Sequence, residues 1–90
     1  MLLKALTDGK VSSTGKVTVN SGIVGGVLIS ADGTNAAAVK LQKVDSNGDI
    51  IFDISTKQPM WFGAPVESGS NVYFSITGTN ASAQIYEYVP

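Results

Sequence analysis

Val72-Tyr73-Phe74-Ser75-Ile76-Thr77-Gly78-Thr79-Asn80-Ala81-Ser82-Ala83-Gln84-Ile85-Tyr86-Glu87-Tyr88-Val89 contains two alternating segments separated by a turn signal. Val72, Phe74 and Ile76 alternate with Tyr73, Ser75 and Thr77, the two-residue period of a strand with one buried face. After Gly78-Thr79-Asn80-Ala81 the alternation resumes. Ile85, Glu87 and Val89 face one way, and Gln84, Tyr86 and Tyr88 the other. Two tyrosines on one face suit cross-strand packing with their polar tips at the surface.

The same tetrapeptide, Gly33-Thr34-Asn35-Ala36, stands earlier, inside the small and polar run from Ala31 to Ala36. An extended segment follows each copy, but Val39 and Leu41 align with Gln84 and Tyr86. A duplicated strand would keep its inward face, because a one-residue slip exchanges the two sides. The repeats therefore read as one hairpin turn used twice, each fixing a strand pair.

The remaining segments extend this pattern. Lys16 to Asn20 alternates, with Val17 and Val19 on one face. Ile23-Val24-Gly25-Gly26-Val27-Leu28-Ile29 is β-branched and bracketed by turns, which predicts a buried strand; its paired glycines mark a bulge, a bend or a close approach of another backbone. Their spacing matches neither the dinucleotide fingerprint nor the Walker loop. Asn47-Gly48 between Ala37–Val44 and Asp49–Ile54 predicts an antiparallel hairpin whose central residues take positive φ. Asp45, Asn47 and Asp49 also present oxygen atoms at alternate positions. An EF-hand loop would need Gly and Glu where Ile50 and Thr56 stand, so the hairpin reading prevails.

Lys57-Gln58-Pro59 and Gly63-Ala64-Pro65 bracket Met60-Trp61-Phe62, which suits a short edge strand or an extended loop. Val66 to Asn71 reads as largely a polar turn. Thr7-Asp8-Gly9-Lys10 and Ser12-Ser13-Thr14-Gly15 are further turn signals. Met1 to Leu6 is apolar and reads either as an edge strand or as an N-terminal arm, over residues 1–9, that docks on a neighbouring subunit. No segment has a helical period. The expected fold is all-β, a single antiparallel β-sandwich or jelly-roll-like barrel over residues 1–90 with about eight strands.

Composition narrows the functional classes. With 90 residues and no cysteine, the chain forms a small core without disulfides, and association is the natural supplement. Six basic and seven acidic residues are scattered, giving net charge −1, which argues against nucleic-acid binding. Charged residues make up only 14% of the chain, against roughly 25% in an average domain, so either part of the neutral surface is covered by a partner or the exterior is simply rich in Ser, Thr and Asn. No run approaches a membrane span, and Lys4 and Asp8 interrupt the apolar start, which is not a signal peptide. The chain has no histidine and no cysteine, and its carboxylates are unpaired in sequence. An enzyme, a cofactor and a metal site are not expected. The candidate contact residues are Leu2, Leu3 and Leu6 at the apolar start and Met60, Trp61 and Phe62 at the edge, with Trp61 also suited to stacking on carbohydrate; the alternative is that the Trp61 and Phe62 rings cap the end of the barrel or sandwich.

Taken together, Ser12-Ser13-Thr14-Gly15, the glycine-containing strand Ile23–Ile29, Gly33-Thr34-Asn35-Ala36, the Asn-Gly hairpin and the terminal Gly78-Thr79-Asn80-Ala81 with its tyrosine strand resemble small virion proteins of tailed bacteriophages. The resemblance runs from Val11 to Val89. It implies a β-sandwich or jelly-roll that binds the major capsid protein on the outer capsid surface as a decoration or cement protein, commonly as a homotrimer. A tail or head-fibre component and a carbohydrate-binding module are the alternatives.

Overall fold

Eight strands form among the described residues, wherever apolar and polar side chains alternate between turn residues. They are β1 (Leu2–Val11), β2 (Gly15–Thr18), β3 (Ile23–Ser30), β4 (Ala37–Lys43), β5 (Ile50–Thr56), β6 (Met60–Glu67), β7 (Asn71–Thr77) and β8 (Ser82–Val89). The computed structural model describes residues 2–90, apart from the side chains of residues 7–10 and of Ala64. Met1, part of the predicted apolar start, lies outside the described residues.

The strands make two four-stranded antiparallel sheets, ordered β1-β8-β3-β6 and β2-β7-β4-β5. All connections except β4–β5 cross from one sheet to the other, and this connectivity is that of an eight-stranded jelly roll. Between the sheets lie Val17, Val19, Val24, Val27, Ile29, Val39, Leu41, Val72, Phe74, Ile76 and Ile85, all buried. Both sheets thus obey the alternation that the sequence displays.

Several expectations are corrected by this topology. The two Gly-Thr-Asn-Ala loops are crossovers rather than hairpins, since β3 and β8 belong to one sheet and β4 and β7 to the other. They also differ in backbone. Gly33 has φ 86° and Asn35 is not left-handed, whereas Gly78 has φ 123° and Asn80 φ 58°. The β4–β5 hairpin is antiparallel as expected, yet Asn47 and Gly48 do not carry its positive φ; Val44 does, at 70°. Asp45 N donates to Lys43 O at 2.8 Å across Val44, closing a γ-turn, and Gly48 N donates to Asp45 O at 3.0 Å.

The apolar start is the edge strand β1, paired to β8, and it continues through Thr7–Lys10, predicted as a turn. Between Ala5 and Lys10 β1 advances five positions while β8 moves only from Tyr86 to Gln84, so the turn residues are absorbed as a bulge. Strand β6 likewise continues through Gly63-Ala64-Pro65 and Val66-Glu67, which were expected to be loop and turn. It pairs only with β3, and residues 64 and 65 stand opposite Gly25, so Pro65 sits in a bulge on an edge where its missing N–H costs no ladder bond. Gly25 is also the extra residue of β3 against β8. The bulge reading of the glycine pair holds.

Candidate functional site: the outer face of the first sheet

Paired residues of antiparallel strands lie on the same side of a sheet, so the register assigns every face. Val27 pairs with Ile85 on one side and with Phe62 on the other, and both Val27 and Ile85 are fully buried. That row faces the core. The flanking rows, Gln84–Leu28–Trp61 and Ala5–Tyr86–Gly26–Gly63, therefore face outward, as does the Leu3–Tyr88 pair.

The outward rows place an aromatic and aliphatic strip on solvent. Trp61 is 43% exposed, Leu28 39% and Leu3 46%, with Tyr86 and Tyr88 half-buried between them. The Trp61 indole lies across two glycines. A Cβ built on Gly26 would stand 2.6 Å from indole Cη2, and one built on Gly63 2.7 Å from Nε1. Tyr86 meets the same indole edge-on, with ring centroids 5.2 Å apart and planes at 85°. Such edge-to-face pairs contribute about 0.5–1.5 kcal/mol beyond area burial. The indole is thus seated on bare backbone and braced from the side, with its other face free. Gln84 borders the strip; its Nε2 donates to Ile85 O at 3.0 Å and to Leu6 O at 3.3 Å.

The second sheet differs. Its outward rows carry Lys16 beside Tyr73, the row Ser75–Lys40–Asp53 and the row Tyr73–Gln42–Ile50, a largely polar and charged surface on which Ile50 is exposed. Gln42 points to that side yet is buried, because its Nε2 donates to Ser46 O at 3.0 Å and Gly48 O at 3.2 Å, which folds the β4–β5 loop back over it. In that loop Asp45 Oδ1 accepts from Asn47 N at 2.9 Å. Asp45 Oδ1, Ser46 O and Gly48 O are thus engaged within the hairpin, and among the described residues no group of three or more acidic residues could hold a metal ion.

At one end of the sandwich a shallow cleft of about 470 Å³ is lined by Ser21, Gly22, Ile23, Pro65, Glu67 and Gly69. Behind it Glu87, expected on the inward face, is buried, with Oε1 accepting from Ser21 N at 2.9 Å. Among the described residues, the Glu67 carboxylate is the one charged group in the cleft's lining.

At the other end Asp32 ties the two crossovers together. Its Oδ1 accepts from Asn35 N at 2.7 Å and Thr34 N at 2.8 Å; its Oδ2 accepts from Asn35 Nδ2 at 2.9 Å and Asn80 Nδ2 at 3.3 Å. Donation from Asn35, backbone then side chain, and from Thr34 holds this exposed carboxyl well below the usual carboxylate range. The Asn80 bond adds to the same effect. An acid at this turn is architectural.

The six candidate contact residues do not form one surface. Leu3 and Trp61 lie on the outer face of the first sheet. Leu2 is exposed at the end of β1, on the Lys4–Glu87 side of the sheet. Leu6 is buried in the core, and Phe62, paired to Val27, packs against that core. Met60 pairs with Ile29 on the inward side, yet is 39% exposed. Trp61 and Phe62 do point to opposite sides, as an extended chain requires. Leu28 was missed, because a β-branched run around it reads as buried on both faces. The partnership of Tyr86 with Trp61 depends on a register that no local pattern encodes.

Comparison with known proteins found no matching family, no similar curated protein and no similar solved structure.

Proposed function

We propose that this chain is a virion structural protein of a tailed bacteriophage, a decoration or cement protein that docks on the major capsid protein through the outer face of its first sheet. The observation that carries the reading is the contrast between the two sheets. One displays Leu3, Leu28, Trp61, Tyr86 and Tyr88 together, while the other carries Lys16, Lys40, Asp53 and Ser75 with an exposed Ile50 at one end. An aromatic centre bordered by polar groups is the composition of a protein interface core, and a seated tryptophan is a typical anchor. The likeness of the turn and strand motifs to small phage virion proteins supplies the partner. Fold alone does not, since jelly rolls serve many functions. A protein that binds the assembled shell in preference to free subunits stabilises the shell by mass action.

Co-sedimentation with empty shells tests this reading. The chain should pellet with the shells and raise their melting temperature, and Trp61→Ala should weaken binding by about 2 kcal/mol or more, the size of a hot-spot truncation. Absence of binding to shells, with binding to tails or fibres instead, would move the chain to the tail or head-fibre alternative.

One observation favours a second reading. An indole held flat over Gly26 and Gly63 with a free face offers its electron-rich surface to the C–H groups of a sugar ring. A glycan array decides it: a signal lost in Trp61→Ala supports carbohydrate binding, and a blank array rejects it.

A further inference from the structure

The loop between β4 and β5 carries the chain's one Asn-Gly step, Asn47-Gly48. Asparagine before glycine is open to spontaneous cyclisation, because no side chain shields the following backbone nitrogen and the backbone there turns freely. Asn47 is exposed and Gly48 half-buried. The glycine is obligatory: a Cβ built on it would overlap the Lys43 carbonyl oxygen. Close approach of the backbone, not a positive φ, fixes glycine at this position, and with it the labile pair.

We infer that Asn47 is a site of deamidation and that Gln42 is its gate. In the reaction Gly48 N gives up its proton to water or hydroxide and attacks Asn47 Cγ. The new C–N bond closes a succinimide, and Nδ2 leaves as ammonia after taking a proton from solvent. Water then opens the ring at either carbonyl, leaving aspartate or isoaspartate at position 47. No oxidant or further reactant is needed. Neither step depends on what the outer face of the first sheet binds.

The native hairpin opposes both requirements of the attack. Loss of the Gly48 proton is opposed by its donation to Asp45 O at 3.0 Å. Rotation of Asn47 Cγ onto that nitrogen is opposed by bonds on either side. Asn47 N donates to Asp45 Oδ1 at 2.9 Å, and Gln42 Nε2 holds both Ser46 O, at 3.0 Å, and Gly48 O, at 3.2 Å. Gln42 is itself buried in β4, so the clamp is anchored on the sheet rather than on the loop. Modification therefore proceeds from a locally opened hairpin. The product cannot return to the closed loop unchanged. A new carboxylate between Asp45 and Asp49 adds like charge, and the extra backbone carbon of isoaspartate displaces Gly48 from its seat against Lys43.

Peptide mapping by mass spectrometry at mildly alkaline pH tests the assignment. In denaturant Asn47 should convert first among the five asparagines, and in the folded chain at about a tenth of that rate or less. Gln42→Leu, which keeps the apolar bulk but removes the donor, should raise the folded-state rate by about tenfold. Asp32→Ala, which loosens the loop at the opposite end of β4, should leave that rate unchanged. Should Gln42→Leu fail to fold, hydrogen exchange of the unmodified chain carries the test: protection of the Gly48 amide should be of the same order as the slowing of conversion by folding. Earlier conversion of another asparagine in denaturant, equal rates in the folded and denatured chain, a folded Gln42→Leu without effect, equal acceleration by Asp32→Ala, or an unprotected Gly48 amide would each overturn the assignment.

Discussion

Trp61 and Tyr86 meet edge-to-face although they come from strands that do not touch each other: β6 and β8 are separated by β3, and the contact spans its glycine. The missing side chain at Gly26 opens the space through which the rings meet. A double-mutant cycle of Trp61→Ala and Tyr86→Ala should therefore give a coupling of about 0.5–1.5 kcal/mol in chemical denaturation, whereas Trp61→Ala with Tyr73→Ala, on the other sheet, should be additive.

The two glycines beneath the indole should respond differently to alanine. The three atoms nearest a Cβ on Gly63 all belong to the Trp61 ring, at 2.7–3.0 Å, while one on Gly26 also meets the Phe62 carbonyl oxygen at 2.6 Å. A ring at the surface can lift; a backbone carbonyl cannot. Gly63→Ala should cost little in a melt but change the near-ultraviolet circular dichroism of Trp61 and weaken any binding through it. Gly26→Ala should destabilise by about 1–3 kcal/mol, the usual cost of overpacking. In a Trp61→Ala background the effect of Gly63→Ala should vanish and that of Gly26→Ala should persist.

Val44 is a β-branched residue at φ 70° and 60% exposed, so it holds a strained conformation with little packing in return. Val44→Asn, which tolerates that region, should raise the denaturation midpoint, by about 0.5–1 kcal/mol of stability. A loss of stability would mean that the valine side chain contributes more than its exposure suggests.

Asp32 predicts a pH dependence with a definite sign. Its carboxyl is held low in the folded state by Asn35 and Thr34, against an ordinary value near 4 in the unfolded chain. Its contribution is thus present above pH of about 4 and is lost as pH falls through the lower folded value. Asp32→Ala should lower the melting temperature at neutral pH, and the gap from the unmodified protein should narrow in acid. Asn80→Ala should show a smaller effect of the same sign.

Strand positions were legible because each apolar alternation reports a local choice of face. Which sheet a strand joins was not. Gly33-Thr34-Asn35-Ala36 and Gly78-Thr79-Asn80-Ala81 are identical in sequence and both precede a strand, yet Asn80 is left-handed and Asn35 is not. Asp32 explains part of the difference, since it caps the first loop from within and reaches the second only through the Asn80 side chain. Prolines and glycines at 63–65 signalled an interruption, but an edge strand with a bulge absorbs them. The outer face combines positions 3, 28, 61, 86 and 88 from four strands, and only the register brings them together. Trp61 and Leu3 were identifiable singly as exposed apolar residues; Leu28 was not, because β-branched neighbours mask the period of two.

Strand β8 sits inside its sheet, between β1 and β3, although it is the final strand in chain order. Without Ser82–Val89, β1 has no partner and β3 loses one of two. The first sheet is then reduced to the β3–β6 pair, and Trp61 loses the ring that braces it. Pairings such as Leu2 with Val89 and Val11 with Ala83 bring together residues far apart in the chain, and such topologies fold on millisecond-to-second timescales rather than in microseconds. The molecule should consequently behave as a single all-or-none unit. Nicking it between β7 and β8 should abolish the whole fold instead of fraying one edge.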